Sequence, residues 1–276
     1  MLNLAAVGAL ALAFAPMPGL PALEEGPLAP STEGAGPAAA AEPFSILVFS
    51  RTAGFRHASI PDGVAALAEI AEEQGFEVEA TEDASWFTDE RLDAFAGVVF
   101  LNTTGDVLDD EQQAAFERYI AKGRGYVGVH SASDTEYDWP WYGQLVGAYF
   151  KGHPRIQPAD VVVEDADHPS TAHLPERWNR TDEWYNFRTS PRPNVRVLMH
   201  LDTSSYEGST MPDDHPTAWC HEFGGGRAWY TGGGHTSESF ADPAFRDHLL
   251  GGILWATGQT EREKAAADER DNAVVR

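Results

Sequence analysis

The chain is poor in cysteine, in lysine and in long apolar runs, and each scarcity removes a class of function. Cys220 is the one cysteine among 276 residues, so neither an intramolecular disulfide nor a thiolate cluster or redox pair can form within one chain. Its neighbours Ala218 and Trp219 mark it as a buried strand position. Lysine occurs only at Lys122, Lys151 and Lys264, and the formal net charge is −24. Such a charge repels phosphate backbones and anionic headgroups, so neither nucleic acid nor membrane is an expected partner. The same acidity is equally a solubility device in a saline habitat, and it does not name a substrate. Nothing after residue 44 is apolar for long enough to span a bilayer. No Gly-x-Gly-x-x-Gly follows the first strand, which disfavours hydride transfer by this chain alone, although a partner dehydrogenase could supply it. The two Gly-Gly-Gly runs lack a Gly-Lys-Ser/Thr continuation and are read as a hairpin turn and a close backbone approach, not phosphate cradles.

What is present falls into three parts. Leu4 to Ala15 is an apolar and small-residue run followed by a Pro/Ala/Gly-rich stretch, so residues 1–43 read as a signal peptide-like segment and linker. No basic residue precedes that run; the competing reading is an Ala/Pro tail on a cytoplasmic protein. Export, to the medium or the cell envelope, is the expectation. Residues 44–258 read as one domain and 259–276 as a charged tail. Within the domain, Ser45 to Ser50, Phe76 to Ala80, Gly97 to Leu101 and Gly125 to Val129 are compact apolar strands. Pro61 to Gln74 and Asp109 to Lys122 are helices, with Ser59 and Asp62, then Asp109 and Gln112, as capping pairs. This alternation specifies an α/β fold: a doubly wound, mainly parallel sheet with helices on both faces and ligands at the carboxyl ends of its strands. The second half is irregular and β-rich. It has strands at Ile156 to Glu164 and Val195 to Leu201, a hairpin around Gly224-Gly225-Gly226, and a last helix after Asp242-Pro243.

His130 ends the apolar run Tyr126-Val127-Gly128-Val129 and opens the small polar stretch Ser131-Ala132-Ser133-Asp134. A buried strand that stops at a reactive side chain presents that group at the mouth of a parallel sheet. Hydrolases and amidotransferases built this way carry Ser or Cys at the elbow; an imidazole there points to metal binding or proton transfer.

Five ordered motifs carry a family resemblance over nearly all of Ile46 to Gly258. They are Arg51-Thr52-Ala53-Gly54-Phe55-Arg56-His57-Ala58-Ser59-Ile60, Gly125-Tyr126-Val127-Gly128-Val129-His130-Ser131-Ala132, Phe150-Lys151-Gly152-His153-Pro154, Asp182-Glu183-Trp184-Tyr185 and His215-Pro216-Thr217-Ala218-Trp219-Cys220. The chain resembles the ThuA-like family, named for trehalose utilisation. The resemblance implies the class I glutamine amidotransferase-like, flavodoxin-like fold, with His130 where an amidotransferase carries its cysteine. It also implies a sugar substrate and a metal site.

Separated histidines from different strand ends, joined by a carboxylate, suit Zn²⁺ or another divalent ion and leave positions open for substrate. His57, His130, Glu183 and His235 are the candidate ligands. No local His-x-x-x-His pairs them, and each histidine also reads as a hydrogen-bonded structural residue. His153 stands open between the two readings, His215 and His221 are unassigned, and His168, His173, His200 and His248 read as structural or surface. Asp134 fits a general base, an orienter of His130, or a turn cap. Trp184 and Tyr185 offer aromatic surface for a sugar ring, and Arg56 fits a substrate contact or a surface ion pair. Trp139, Trp141 and Tyr142 read as core more than as a sugar platform. The expectation is an exported enzyme of carbohydrate metabolism acting on a sugar or keto-glycoside by metal-assisted elimination, hydration or isomerisation, and not a glutamine amidotransferase. The alternative is a non-catalytic sugar-binding or partner module using the same cleft.

Overall fold

The computed structural model describes residues 43–260, so the expected leader and nearly all of the charged tail lie outside the described residues. The first half runs β1 (Ser45–Phe49), α1 (Ile60–Gln74), β2 (Glu77–Thr81), α2 (Asp89–Leu92), β3 (Gly97–Leu101), α3 (Asp110–Ala121) and β4 (Gly125–Val129). The second half runs α4 (Pro140–Val146), β5 (Phe150–Gly152), β6 (Gln157–Val163), β7 (Arg177–Asp182), β8 (Asn186–Phe187), β9 (Arg196–Leu201), β10 (Pro216–Phe223), β11 (Gly226–Thr231), α5 (Ser237–Ala241) and α6 (Pro243–Ala256).

Nine strands form one sheet in the order β2-β1-β3-β4-β11-β10-β9-β6-β7, and β5 pairs with β8 apart from it. The pairings from β2 through to β11 are parallel, and those from β11 out to β7 are antiparallel. β3 and β4 are buried along their whole length, as expected of parallel strands covered on both faces. Alternate residues go to opposite layers. Ile46, Val48, Val99, Leu101, Val127 and Val129 pack with Leu67 and Ile70 of α1 and with Phe245, Leu249 and Ile253 of α6. Leu47, Phe49, Val98, Phe100 and Tyr126 pack with Phe116, Tyr119 and Ile120 of α3 and with Tyr142 of α4. Trp139 joins this second layer, and Trp141 packs against it, so the Trp139-Trp141-Tyr142 group belongs to the core. Cys220 is buried in β10.

The caps divide. Asp109 and Gln112 form the capping box expected of α3, and Gly75 ends α1 at φ 78°, a conformation glycine adopts without a Cβ penalty. Ser59 and Asp62 do not form a capping pair. The Ser59 hydroxyl donates to the carbonyl of Gly234, and Asp62 accepts from Ser237. Ser59 ties α1 to the loop after β11 and Asp62 ties it to the start of α5, rather than to its own first turn.

β7 and α4 are absent from the periodicity reading. β7 is Arg-Trp-Asn-Arg-Thr-Asp, the outer strand of the sheet. One face of it meets solvent, so no apolar run marks it. The crossover from β1 to β2 lies on one side of β1 and β3 on the other, which puts the switch in strand order beside the carboxyl ends of β1 and β3. Ligands of open α/β sheets bind at that position.

Candidate functional site

Loops from the carboxyl ends of β1, β4 and β11 deliver His57, His130 and His235 to one point. His130 follows β4 directly and has φ 49°, a left-handed conformation that costs a residue with a Cβ roughly 1–2 kcal/mol. The strained turn is braced by its own carbonyl, which accepts from Tyr230 Oη at 2.7 Å and from Ser133 Oγ at 3.2 Å. Its imidazole Nδ1 donates to the carbonyl of Gly232 at 2.9 Å. A carbonyl only accepts, so Nδ1 carries a proton, and Nε2 points into the site. The elbow expected at His130 is therefore present in the backbone, with imidazole where a nucleophile would stand.

Glu183 enters from the opposite end of the sheet, as the first residue after β7. Asp182 makes this possible. Its buried carboxylate accepts from the backbone N–H of Gly234 at 2.9 Å and of His235 at 3.1 Å, and from Ser239 Oγ at 2.9 Å. Arg180 pairs with it at 3.0 Å. The outer strand is thus stitched to the loop after β11. Asn102, after β3, adds a second stitch by donating to the Gly234 carbonyl and to Ser59 Oγ.

The four candidate metal ligands converge: one ligand atom from each of His57, His130, Glu183 and His235 lies within 4.8 Å of the others. Glu183 Oε2 is 3.1 Å from His235 Nδ1 and 3.5 Å from His130 Nε2. His57 Nδ1 meets Ser131 Oγ at 3.3 Å. The three imidazole planes stand edge to face at 4.9–5.2 Å between centroids. Burial drives His57 down to about 3, helped by its neighbours His130 and His235, so its ring is neutral and available as a ligand at neutral pH. Burial pushes Glu183 up, but the bonds from His130 and His235 outweigh it and hold the carboxyl at about 2. His235 is lowered by burial and raised more strongly by Glu183, for a net upward shift. Three imidazoles facing a carboxylate are a donor set for zinc or a similar divalent ion.

A cavity of about 300 Å³ opens beside these groups, lined by Phe55, His57, Asp134, Phe150, His153, Glu183, Tyr185 and His235. His153 reaches the site: its Nδ1 is 2.9 Å from Glu183 Oε1, on the oxygen turned away from the other histidines, and its side chain is half-exposed. Tyr185 lies against the His130 ring at 4.0 Å between centroids, and its backbone carbonyl meets His215 Nε2 at 2.8 Å. Asp134 accepts from Tyr137 Oη at 2.5 Å. Burial raises its carboxyl pKa against that hydrogen bond.

Two expected substrate contacts lie elsewhere. Arg56 is turned outward, held by both oxygens of Glu82 at 2.7 and 3.0 Å, and does not line the cavity. Trp184 is buried in the core with its indole N–H donated to Gln157 O at 2.8 Å. In Asp182-Glu183-Trp184-Tyr185, Glu183 and Tyr185 line the cavity, and Trp184 faces the core. Phe55, Phe150, Ser131 and Asp182 are site residues that sequence reasoning did not single out. Each lay inside a quoted motif, but no side-chain chemistry set it apart. His168 and His248 are buried core histidines, His200 pairs with Glu164, and His173 bonds the Ala244 carbonyl from an exposed position.

Comparison with curated proteins gives no match. Among solved structures, the chain is similar to a ThuA-like protein from Bacteroides uniformis, with 25% identity and TM-score 0.68 over 80% of this chain and 94% of that one. It is similar to a second ThuA-like protein, from Parabacteroides merdae, with 21% identity and TM-score 0.65 over 78% and 90%. A β-galactosidase from Bacillus circulans sp. alkalophilus shares the fold alone, with 12% identity and TM-score 0.51 over 77% of this chain and 31% of that one. The family model described as ThuA, trehalose utilisation, matches residues 45–256: the chain belongs to the ThuA family.

Proposed function

We propose that this protein is an exported enzyme of carbohydrate metabolism that moves a proton on a sugar or keto-glycoside, giving elimination, hydration or isomerisation. The observation that carries the reading is the convergence of His57, His130, Glu183 and His235 at one end of a cavity that also contains Asp134. Three imidazole nitrogens and a carboxylate fit a divalent ion, zinc above all, and His57, His130, Glu183 and His235 would hold it. Such an ion, when bound, polarises a substrate carbonyl or hydroxyl oxygen.

The remaining chemistry belongs to the chain. Asp134 is the proton-transfer group: it lines the cavity, and burial raises its carboxyl above the usual carboxylate value,. Tyr137 fixes it in one orientation through the 2.5 Å hydrogen bond. Phe55, Phe150 and Tyr185 supply apolar wall, which suits the C–H faces of a sugar and excludes water from the proton in transit. Acyl transfer from glutamine does not fit, because Cys220 lies in β10 away from the elbow and burial pushes its thiol up to about 12. A small carbohydrate is the proposed partner, with a sugar dehydrogenase as supplier of any hydride step. Export rests on the apolar segment before residue 43. Among the described residues no helix is long and apolar enough to cross a membrane.

The test is metal analysis of the full chain and of His130→Ala after dialysis against a weak chelator. About one equivalent of a divalent transition metal in the parent and none in the variant supports the reading. No metal in either, with both folded, removes it and leaves the sugar-binding module.

A further inference from the structure

The two oxygens of Glu183 have different neighbours. Oε2 is 3.1 Å from His235 Nδ1 and 3.5 Å from His130 Nε2, whereas Oε1 is 2.9 Å from His153 Nδ1. The same His153 Nδ1 is 2.9 Å from the Pro154 carbonyl. A carbonyl only accepts, so this Nδ1 carries a proton and can share it with the carboxylate. His153 is also held from behind. It follows β5 directly, and β5 pairs with β8, which begins at Asn186 just after Glu183-Trp184-Tyr185, in the register Phe150↔Phe187 and Gly152↔Asn186. Its ring lies nearly parallel to those of Phe150 and Tyr185, at 5.9 and 6.0 Å between centroids and 27° between planes. The two-stranded sheet thus sets this histidine beside this carboxylate.

A carboxylate can give a metal ion one oxygen or both, and the second oxygen takes a coordination position that a substrate needs. A partner outside the ligand set that hydrogen-bonds one oxygen keeps that oxygen off the ion and fixes the orientation of the other. We infer that His153 is a positioning residue: its Nδ1–H holds Glu183 Oε1, so that Glu183 binds a divalent ion through Oε2 alone and a coordination position stays open. The inference rests on the metal reading above and adds to it the residue that sets the coordination number. His153 stands outside the group whose ligand atoms lie within 4.8 Å of one another. Its side chain is 42% exposed against 8% for Glu183, which suits an outer partner better than a fourth imidazole ligand.

Zinc competition titration and the visible spectrum of the cobalt-loaded protein test this on the full chain, on His153→Ala, on His153→Asn and, as a ligand control, on Glu183→Gln. Cobalt(II) absorbs strongly with four ligands, less with five and weakly with six, so the spectrum reads the coordination number. His153→Ala should weaken zinc about tenfold, the low end for outer partners of a ligand, and should lose visible intensity as Oε1 joins the ion. His153→Asn puts an amide N–H near the position of Nδ1 and should restore both. A parental affinity or a parental spectrum in His153→Ala, a His153→Asn no better than His153→Ala, or a zinc loss in His153→Ala as large as in Glu183→Gln, the mark of a direct ligand, overturns the positioning role while leaving a metal site. A parent that binds neither ion overturns the metal reading and the positioning role with it. Circular dichroism of the variants separates loss of contact from loss of fold.

Discussion

His130 Nε2 and His235 Nδ1 face each other across 3.3 Å, and both look at the same oxygen of Glu183. Two imidazole nitrogens and a carboxylate oxygen this close are spaced for one shared cation. The relationship ties the elbow after β4 to the loop after β11, so the site is a property of both.

If the cluster holds a divalent ion, its members should contribute unequally. Replacing a ligand, as in His235→Ala or Glu183→Gln, should weaken metal binding by at least about 100-fold. Ser131→Ala, which removes only the partner of His57 Nδ1, should cost roughly 10-fold, within the range of outer-sphere partners. Competition titration with a chromogenic chelator measures both. Equal effects of ligand and partner substitutions would count against this ligand set.

Asp182 should matter more for stability than for binding. Its side chain is fully buried and that of Arg180 is 8% exposed. Asp182→Ala leaves a buried guanidinium without its carboxylate and takes the acceptor from Gly234, His235 and Ser239. Breaking a buried pair from one side costs about 3–5 kcal/mol. Urea denaturation should give a loss of that size, against less than about 1 kcal/mol for Arg56→Ala, whose ion pair is exposed,.

The protein should lose stability in mild acid through its core histidines. His248 is fully buried, with Nδ1 on the Ser170 carbonyl and Nε2 on Thr231, and burial lowers it to about 3. Its folded pKa lies below the unfolded value, so between about pH 6.5 and 3 the unfolded chain binds the extra proton. The contribution is complete above pH 6.5 and falls by about 1.4 kcal/mol per pH unit below it. His248→Gln should be less stable than the parent at pH 7 and should show a shallower decline toward pH 4 in chemical denaturation. An equal slope in both proteins would exclude His248 as the source.

Gly251 lies inside α6, where helix propensity alone would reward Ala by about 1 kcal/mol. A Cβ there would run into the backbone of Pro169 and Ser170. Overpacking against backbone costs roughly 1–3 kcal/mol or more, so Gly251→Ala should lower the thermal midpoint by several degrees rather than raise it. Scanning calorimetry decides the sign.

How far the sequence disclosed this molecule follows from where each element lies. β1, β3 and β4 are covered on both faces and write themselves as apolar runs; β7 is wet on one side and polar, so no run exposes it. His57 and His130 could be placed on one rim because each follows an apolar strand of the parallel sheet; that Glu183 reaches the same point could not be read, because the polar β7 before it carries no apolar run. Asp134 was legible from its place just past the elbow, and Tyr185 from its place in a motif. For Arg56 the sequence left a substrate contact and a surface ion pair both open, because the carboxylate that takes it, Glu82, lies on the far side of a helix and a strand. Trp184 was misjudged for a simpler reason: successive residues after a strand face opposite ways, and no pattern in Asp182-Glu183-Trp184-Tyr185 tells which way each points.

The stitch from Asp182 to the loop after β11 has a consequence for how the molecule is made. β7 is the outermost strand on the antiparallel side, and the histidines come from the parallel side, so the ligand set is complete only when every intervening strand is in register. Every one of those pairings joins residues distant in sequence, and the entropy of closing those loops must be met before the ligands meet. Binding competence should therefore appear with the last folding phase, and a single backbone cut in the antiparallel half would abolish it while sparing the parallel half's helices and strands.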